Sequence, residues 1–161
     1  MATRFVFLIA LSFCIIPSLI PVTTAKYHVK GCVYCDTCRA GFETNVTTYI
    51  EGARVGIRCI DRTNKKVVFY TEGETNHKGI YHIEVENDHH DNLCQTVLVS
   101  SPLHWCSTPD PGRNRSSIVL THYKNGILNY LHYANAMGFL KDEPLPVCYQ
   151  LLKYYLSDSD I

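Results

Sequence analysis

Beyond its opening residues this sequence contains no apolar run long enough to cross a bilayer, and its charge is sparse and balanced, with 15 Lys and Arg against 15 Asp and Glu in 161 residues. The first absence excludes a helical membrane span in the body of the chain. The second argues against electrostatic binding to nucleic acid or anionic lipid, which needs a basic face. Also missing are the motifs on which common chemistries rest. There is no G-x-S-x-G elbow, no H-E-x-x-H pair, no phosphate-cradling glycine loop and no G-x-G-x-x-G. No internal repeat, low-complexity segment, linker or terminal anchoring signal is evident.

What is present begins with a leader. Arg4 precedes an apolar run from Phe5 to Ile16, followed by Pro17, Pro21 and the small residues Thr23 and Ala25. The run is too short to span a membrane and its end suits signal peptidase, so residues 1–25 are expected to be a secretory signal peptide and residues 26–161 a single β domain. The 136 residues that remain suffice to bury roughly two thirds of the unfolded chain's surface. Losing Arg4 leaves 14 basic residues against 15 acidic ones, a net charge of −1. Losing Cys14 leaves seven cysteines: Cys32, Cys35, Cys38, Cys59, Cys94, Cys106 and Cys148. Seven is odd, so three bridges in an oxidising compartment leave one thiol over.

Period-two patterning dominates the body. Ala53, Val55, Ile57 and Cys59 alternate with Arg54, Gly56 and Arg58, and Tyr81, Ile83 and Val85 alternate with His82, Glu84 and Glu86. Each is the signature of a strand with one face buried. Further strands are predicted over Tyr27–Tyr34, Lys66–Thr71, Cys94–Ser100, Ser117–Tyr123 and, more weakly patterned, Leu128–Ala134. Turn residues separate them at Asn64-Lys65, Asn76-His77-Lys78-Gly79, Asn87-Asp88, Pro109-Asp110-Pro111-Gly112 and Asn125-Gly126. Val147, Cys148, Leu151, Leu152 and Tyr155 recur at helical spacing after Pro146. The predicted fold is all-β, an antiparallel sandwich or barrel of about seven strands, stapled by disulfides and closed by a short C-terminal helix.

The stretch GCVYCDTCRAGF, Gly31 to Phe42, sets Cys32, Cys35 and Cys38 at three-residue intervals. A ferredoxin-type cluster would need a fourth cysteine where Phe42 stands. Zinc would need a second ligand pair, and the remaining cysteines are scattered. The polar stretch Asp88-His89-His90-Asp91 offers imidazole and carboxylate but reads as a solvated hairpin tip between strands. A thioredoxin-like dithiol needs a βαβ context that this pattern lacks. Disulfides remain, and six cysteines allow fifteen pairings.

GCVYCDTCRAGFETN resembles the N-terminal signature of the Ole e 1-like pollen allergen and extensin-like family, and the likeness continues through IEGARVGIRC, GIYHIEVENDHHDNLC and YANAMGFLKDEPLPVC. Lys30 departs from the residues usual there, and Cys32 stands where the family commonly has a non-cysteine. The resemblance implies pairing of Cys35 with Cys106, Cys38 with Cys148 and Cys59 with Cys94. It also implies a secreted plant protein of the extracellular space or cell wall, often abundant in pollen or growing tissue, often allergenic and without enzymatic activity. Cys32, on the strand face opposite Val33, is either an exposed thiol joining two chains in a disulfide-linked dimer or a buried small hydrophobe.

Two sequons, at Asn45 and Asn114, fall in predicted loops and are expected to carry glycans. Glu84 and Glu86 share a strand face with His82, where solvation keeps carboxylates ionised and catalytically dull. No catalytic residue, cofactor or metal ligand is expected. Trp105 and the tyrosines Tyr123, Tyr130, Tyr133, Tyr149, Tyr154 and Tyr155 are expected mostly to fill the core or flank the tail helix, with recognition of wall glycans by stacking as the alternative. The expected role is a binding or signalling module whose partner is a receptor ectodomain or a wall polysaccharide. A structural wall component crosslinked through tyrosines or Cys32 is the rival, and a hydrolase or protease inhibitor using Cys32 or His90 a third.

Overall fold

The computed structural model describes residues 26–121 and 130–157. The expected signal peptide, Tyr123, the Asn125-Gly126 turn and the end of the chain after Ser157 lie outside these residues.

One sheet is organised around β1 (Lys26–Asp36). Along its first half β1 pairs antiparallel with β5 (Ile80–Glu86) and parallel with β9 (Leu131–Tyr133). Along its second half it pairs antiparallel with β2 (Thr48–Tyr49) and parallel with β10 (Met137–Leu140), which carries β7 (Thr108–Pro109) on its far side. The other sheet is antiparallel, in the order β4 (Val67–Glu74), β3 (Arg54–Asp61), β6 (Asn92–Ser100) and β8 (Arg115–Ile118). A 3₁₀ turn at His104–Cys106 precedes β7, and α1 (Cys148–Ser157) follows β10.

The alternation seen in the sequence becomes the sandwich interior. Tyr27 and Val29 of β1, with Tyr81, Ile83 and Val85 of β5, are buried in one cluster with Val55, Ile57 and Cys59 of β3. The intervening His82, Glu84 and Glu86 are exposed. Burying side chains of this size contributes about 1.5–3 kcal/mol each, and these residues form the bulk of the core. Gly31 has a specific task within it, because a β-carbon there would lie 2.3 Å from the buried Tyr81 hydroxyl. That hydroxyl is desolvated, and the side chain of Thr96 is the polar group near it, at a geometry short of a full hydrogen bond. Tyr81→Phe should therefore change stability by no more than about 1 kcal/mol, since it removes a desolvated hydroxyl whose contact with Thr96 is at best a poor hydrogen bond. Urea denaturation checks this, and a clear loss would mean that the hydroxyl is bonded after all.

Turn chemistry accounts for the connections. Lys65 adopts a left-handed φ of 59° between β3 and β4 while the Asp61 carboxylate accepts from the amides of Thr63 and Asn64. Asn76 accepts from the amides of Lys78 and Ile80, and Gly79 supplies φ 69° before β5.

The expectation of about seven antiparallel strands is revised in two respects. Ten strands are present among the described residues, and β9 and β10 run parallel to β1. Met137, Gly138 and Phe139 of β10 are all buried, so this strand carries no alternation to read. The turn at Asp88–Asp91 is also not a hairpin tip, because β5 and β6 belong to different sheets. It carries the chain across the sandwich. Asp88 turns toward the Tyr27 hydroxyl, from which it accepts at 3.1 Å, and His89 packs its ring on Phe69.

Candidate functional site

The GCVYCDTCRAGF stretch runs down the second half of β1 and then leaves the sheet as a tightly held loop. Asp36, fully buried at the end of β1, accepts from the Cys38 amide at 3.1 Å with one carboxylate oxygen and from the Gly41 amide at 2.7 Å with the other. Such a carboxylate replaces the strand ladder with a side-chain-centred turn. Arg39 and Gly41 take left-handed φ values of 52° and 79° to close it. Arg39 then donates to the Lys141 carbonyl at 2.7 Å, and Thr37 donates through its hydroxyl to the Val46 carbonyl at 2.9 Å.

Two disulfides brace this loop. Cys35 is bonded to Cys106 and Cys38 to Cys148, tying the loop to the 3₁₀ turn and to the first residue of α1. The third bridge, Cys59 to Cys94, joins directly opposed positions of β3 and β6. These are the three pairs that the family resemblance implies.

Beside the loop opens a cleft of about 460 Å³ lined by Tyr34, Phe42, Glu43, Arg113, Asn135 and Ala136. Its walls come from four places in the chain. Tyr34 lies on β1 with its ring over Gly138, where a β-carbon would approach to 2.8 Å. Phe42 and Glu43 come from the loop, and the Tyr155 ring of α1 meets Phe42 edge-on at 5.9 Å. Arg113 follows the Asp110 turn, whose carboxylate accepts from the Gly112 amide, and its Nε donates to the Gly41 carbonyl at 2.9 Å. Asn135 is fixed through its backbone amide, which donates to the Ser116 hydroxyl at 2.9 Å.

The electrostatics suit binding. Burial pushes the Tyr34 hydroxyl up to about 12, and donation to Glu43 does the same for Tyr49. Both phenols therefore stay neutral at ordinary pH, able to hydrogen-bond but not to act as bases. The cleft offers one apolar ring, a carboxylate, a guanidinium and a primary amide. Such a set can hold a polar ligand with an apolar face.

Cys32 is half-buried and unbridged, opposite Ile80 of β5. Burial, and secondarily the Glu43 charge, raises its pKa. The thiolate is the nucleophile, so exchange at this position is disfavoured. The rate of alkylation of the native protein should reach half its maximum at a higher pH than for a free cysteine. A midpoint at or below the free value would show an activated thiol.

Cys59, His89 and Cys94 bring their ligand atoms within 4.8 Å of one another, the one such metal-competent group found among the described residues. Both sulfurs are spent in the bridge, and the two nitrogens of His89 face the Asn92 amide and the Glu86 carbonyl. This group holds no ion while the bridge is closed. His90 lies away from the cleft, between Asp88 and Asp91.

The aromatics depart from expectation. Tyr133, Tyr149 and Tyr154 are 70, 69 and 66% exposed, Trp105 stands partly open under the Lys141 ammonium, and Tyr130 is also exposed. The buried tyrosines are instead Tyr27, Tyr34 and Tyr81, which sit at inward or sheet-covered positions of β1 and β5. Of the tail tyrosines only Tyr155 turns inward, on the stripe with Cys148, Leu151 and Leu152. Asn45 is exposed in a turn and Asn114 is half-buried just before β8. The cleft was not visible in the sequence, since no pattern links Tyr34, Glu43, Arg113 and Asn135.

Comparison with known proteins places this arrangement. Residues 25–156 match the family model described as pollen protein Ole e 1 like. Protein DOWNSTREAM OF FLC from Arabidopsis thaliana is 46% identical over 161 residues, covering 99% of this chain and 98% of its own length. Pollen-specific protein C13 from Zea mays is 46% identical over 134 residues, covering 83% of this chain and 78% of its own. Pollen allergen Sal k 5.0101 from Kali turgidum is 45% identical over 129 residues, covering 79% and 85%. The crystal structure of the major plantain pollen allergen Pla l 1 superposes with a TM-score of 0.67 at 28% identity, over 76% of this chain and 98% of that one.

Proposed function

The chain belongs to the pollen protein Ole e 1-like family, and on that premise we propose that it acts as a secreted, non-enzymatic binding module of the plant extracellular space, taking a wall polysaccharide in the cleft beside its GCVYCDTCRAGF loop. The observation that carries this reading is the composition of the cleft. Phe42 offers a face for stacking on a sugar ring, and Glu43, Arg113 and Asn135 offer planar hydrogen-bonding groups around it. The braced loop supports it further, because a site held by two disulfides and the buried Asp36 loses little entropy on binding. The leader and the bridges support an oxidising, extracytoplasmic destination. Glycans are proposed at Asn45 and Asn114, with Asn45 the more open acceptor.

The test is co-sedimentation of the untagged secreted protein with wall polysaccharide fractions, comparing wild type with Phe42→Ala and Arg113→Ala. Saturable binding by the wild type, weakened in both variants, is the expected result. Binding untouched by both substitutions, or capture only by a receptor ectodomain, overturns the assignment of ligand and cleft.

A second reading, a crosslinked structural component, is favoured by the exposed Tyr133, Tyr149 and Tyr154, which an extracellular oxidant could reach. Salt extraction of walls separates the two. A diffusible binder is released, and a crosslinked one is not. The raised pKa of Cys32 gives no support to a disulfide-linked dimer.

A further inference from the structure

The outer face of the four-stranded sheet brings one of the two sequons against an open apolar and aromatic surface. Because Val55, Ile57 and Cys59 of β3 face the core, Arg54, Gly56 and Arg58 face outward. Gly56 lies across from Val97 of β6, which in turn lies across from Arg115 of β8. Tyr70 of β4 stands across from Arg58, and its ring leans over Gly56, where a β-carbon would lie 2.9 Å from the phenol oxygen. Asn114 is pinned beside this row, its carbonyl accepting from the Leu98 amide at 2.9 Å. Together Arg58, Tyr70, Val97, Val99, Asn114 and Arg115 line an open groove of about 530 Å³. Tyr70 and Val99 are 49 and 37% exposed, so the apolar part of this surface is uncovered. No carboxylate lines the groove. Glu72, across from Gly56, is held by the Tyr70 hydroxyl, which donates to it at 2.6 Å, and by Arg54. Arg58 and Arg115 have no carboxylate partner among the described residues.

We propose that the glycan carried by Asn114 folds back across this face, its inner sugar rings covering Tyr70, Val97 and Val99. The inference rests on the occupancy of Asn114 proposed above and is independent of the cleft and of its ligand. Each part of the groove suits a sugar. The Tyr70 ring and the two valines take the apolar face of a pyranose, and the Arg58 and Arg115 guanidiniums donate to its hydroxyl groups. A covalently attached sugar meets the face at an effective concentration of about millimolar, so contacts too weak to hold a free saccharide suffice. The sequon also fixes when the glycan must be added. Its third residue, Ser116, is buried with its Oγ accepting from the Asn135 amide, so transfer has to precede the entry of β8 into the sheet. Once in place, the glycan hides an apolar surface that would otherwise lie open to self-association.

Hydroxyl-radical footprinting of protein secreted from plant cells tests it, comparing wild type with Asn114→Gln once mass spectrometry has measured the occupancy of Asn114. Oxidation of Tyr70, Val97 and Val99 should be severalfold lower in the glycosylated chain, and that of Tyr149 on α1 should be the same in both. Asn114→Gln should also lower Tm by about 3 °C, the scale of one aromatic contact in a domain of this length. That fall should shrink in a Tyr70→Leu background, because the two substitutions remove the same contact. In chains made without N-glycans, Asn114→Gln should change neither readout, which separates the glycan from the asparagine side chain. An unoccupied Asn114 overturns the proposal, as does equal oxidation of the face in both forms. Protection that persists without the glycan and rises with protein concentration would place a second copy of the chain on the face instead, and overturns it too.

Discussion

Replacing Cys38 and Cys148 together by serine should lower the free energy of unfolding by about 5 kcal/mol, read as a fall in the urea midpoint. The size follows from the loop that the bridge closes, 110 positions against 71 and 35 for the other two. The same chain-entropy argument assigns about 4 kcal/mol to each of those. Net stabilities of small domains are about 5–15 kcal/mol, so this loss alone removes a large share. Its effect should also be local. Cys148 is the first and most buried residue of α1, and the helix otherwise rests on the half-buried Leu151, Leu152 and Tyr155. Without the bridge the helix should fray, releasing the Phe42 ring from Tyr155 and opening one wall of the cleft. Proteolysis after Lys153 should then become faster than in the parent. A variant within about 1 kcal/mol of the parent would show that the helix docks without its covalent tie.

The second large effect is expected at Asp36. Its carboxylate satisfies two amides, those of Cys38 and Gly41, at a position with no solvent to replace it. Hydrogen bonds to charged groups contribute about 1.5–3 kcal/mol each, and unpaired buried amides carry their full desolvation penalty. Asp36→Ala should therefore cost about 3–5 kcal/mol and abolish ligand binding, because Gly41 positions both Phe42 and the Arg113 guanidinium. Asp36→Asn keeps one acceptor and turns an NH₂ group toward the other amide, so it should retain part of the stability while still losing binding. Denaturation and co-sedimentation of the two variants separate these effects. A fully stable Asp36→Ala that still binds would remove Asp36 from its place at the centre of the loop.

How much of this was legible in the sequence depended on how each feature is encoded. Tyr81, Ile83 and Val85 announced their strand, because a sheet covered on one side forces alternation. Cys148, Leu151, Leu152 and Tyr155 likewise marked the buried stripe of α1. The strand expected from Ser117 instead begins at Arg115, where Ser116 and Ile118 point inward and the polar Ser116 hides the pattern. β2 and β7 are two residues each, too short to carry any period, and β10 is covered on both faces. The cleft brings together residues up to about a hundred positions apart, which only the parallel pairing of β1 with β10 and the turn at Asp110 place side by side. The tyrosines misled for a simple reason: composition counts rings, and only register decides which of them face inward.

The first measurement to make is non-reducing peptide mapping by mass spectrometry, with thiol counting, on protein secreted from plant cells. A chain beginning at Lys26 is predicted, with Cys35 joined to Cys106, Cys38 to Cys148, Cys59 to Cys94, and a single unbridged thiol at Cys32. A secreted chain in which Cys35 and Cys38 are reduced, or bridged to each other, would contradict the braced loop and with it the cleft on which the proposed function depends.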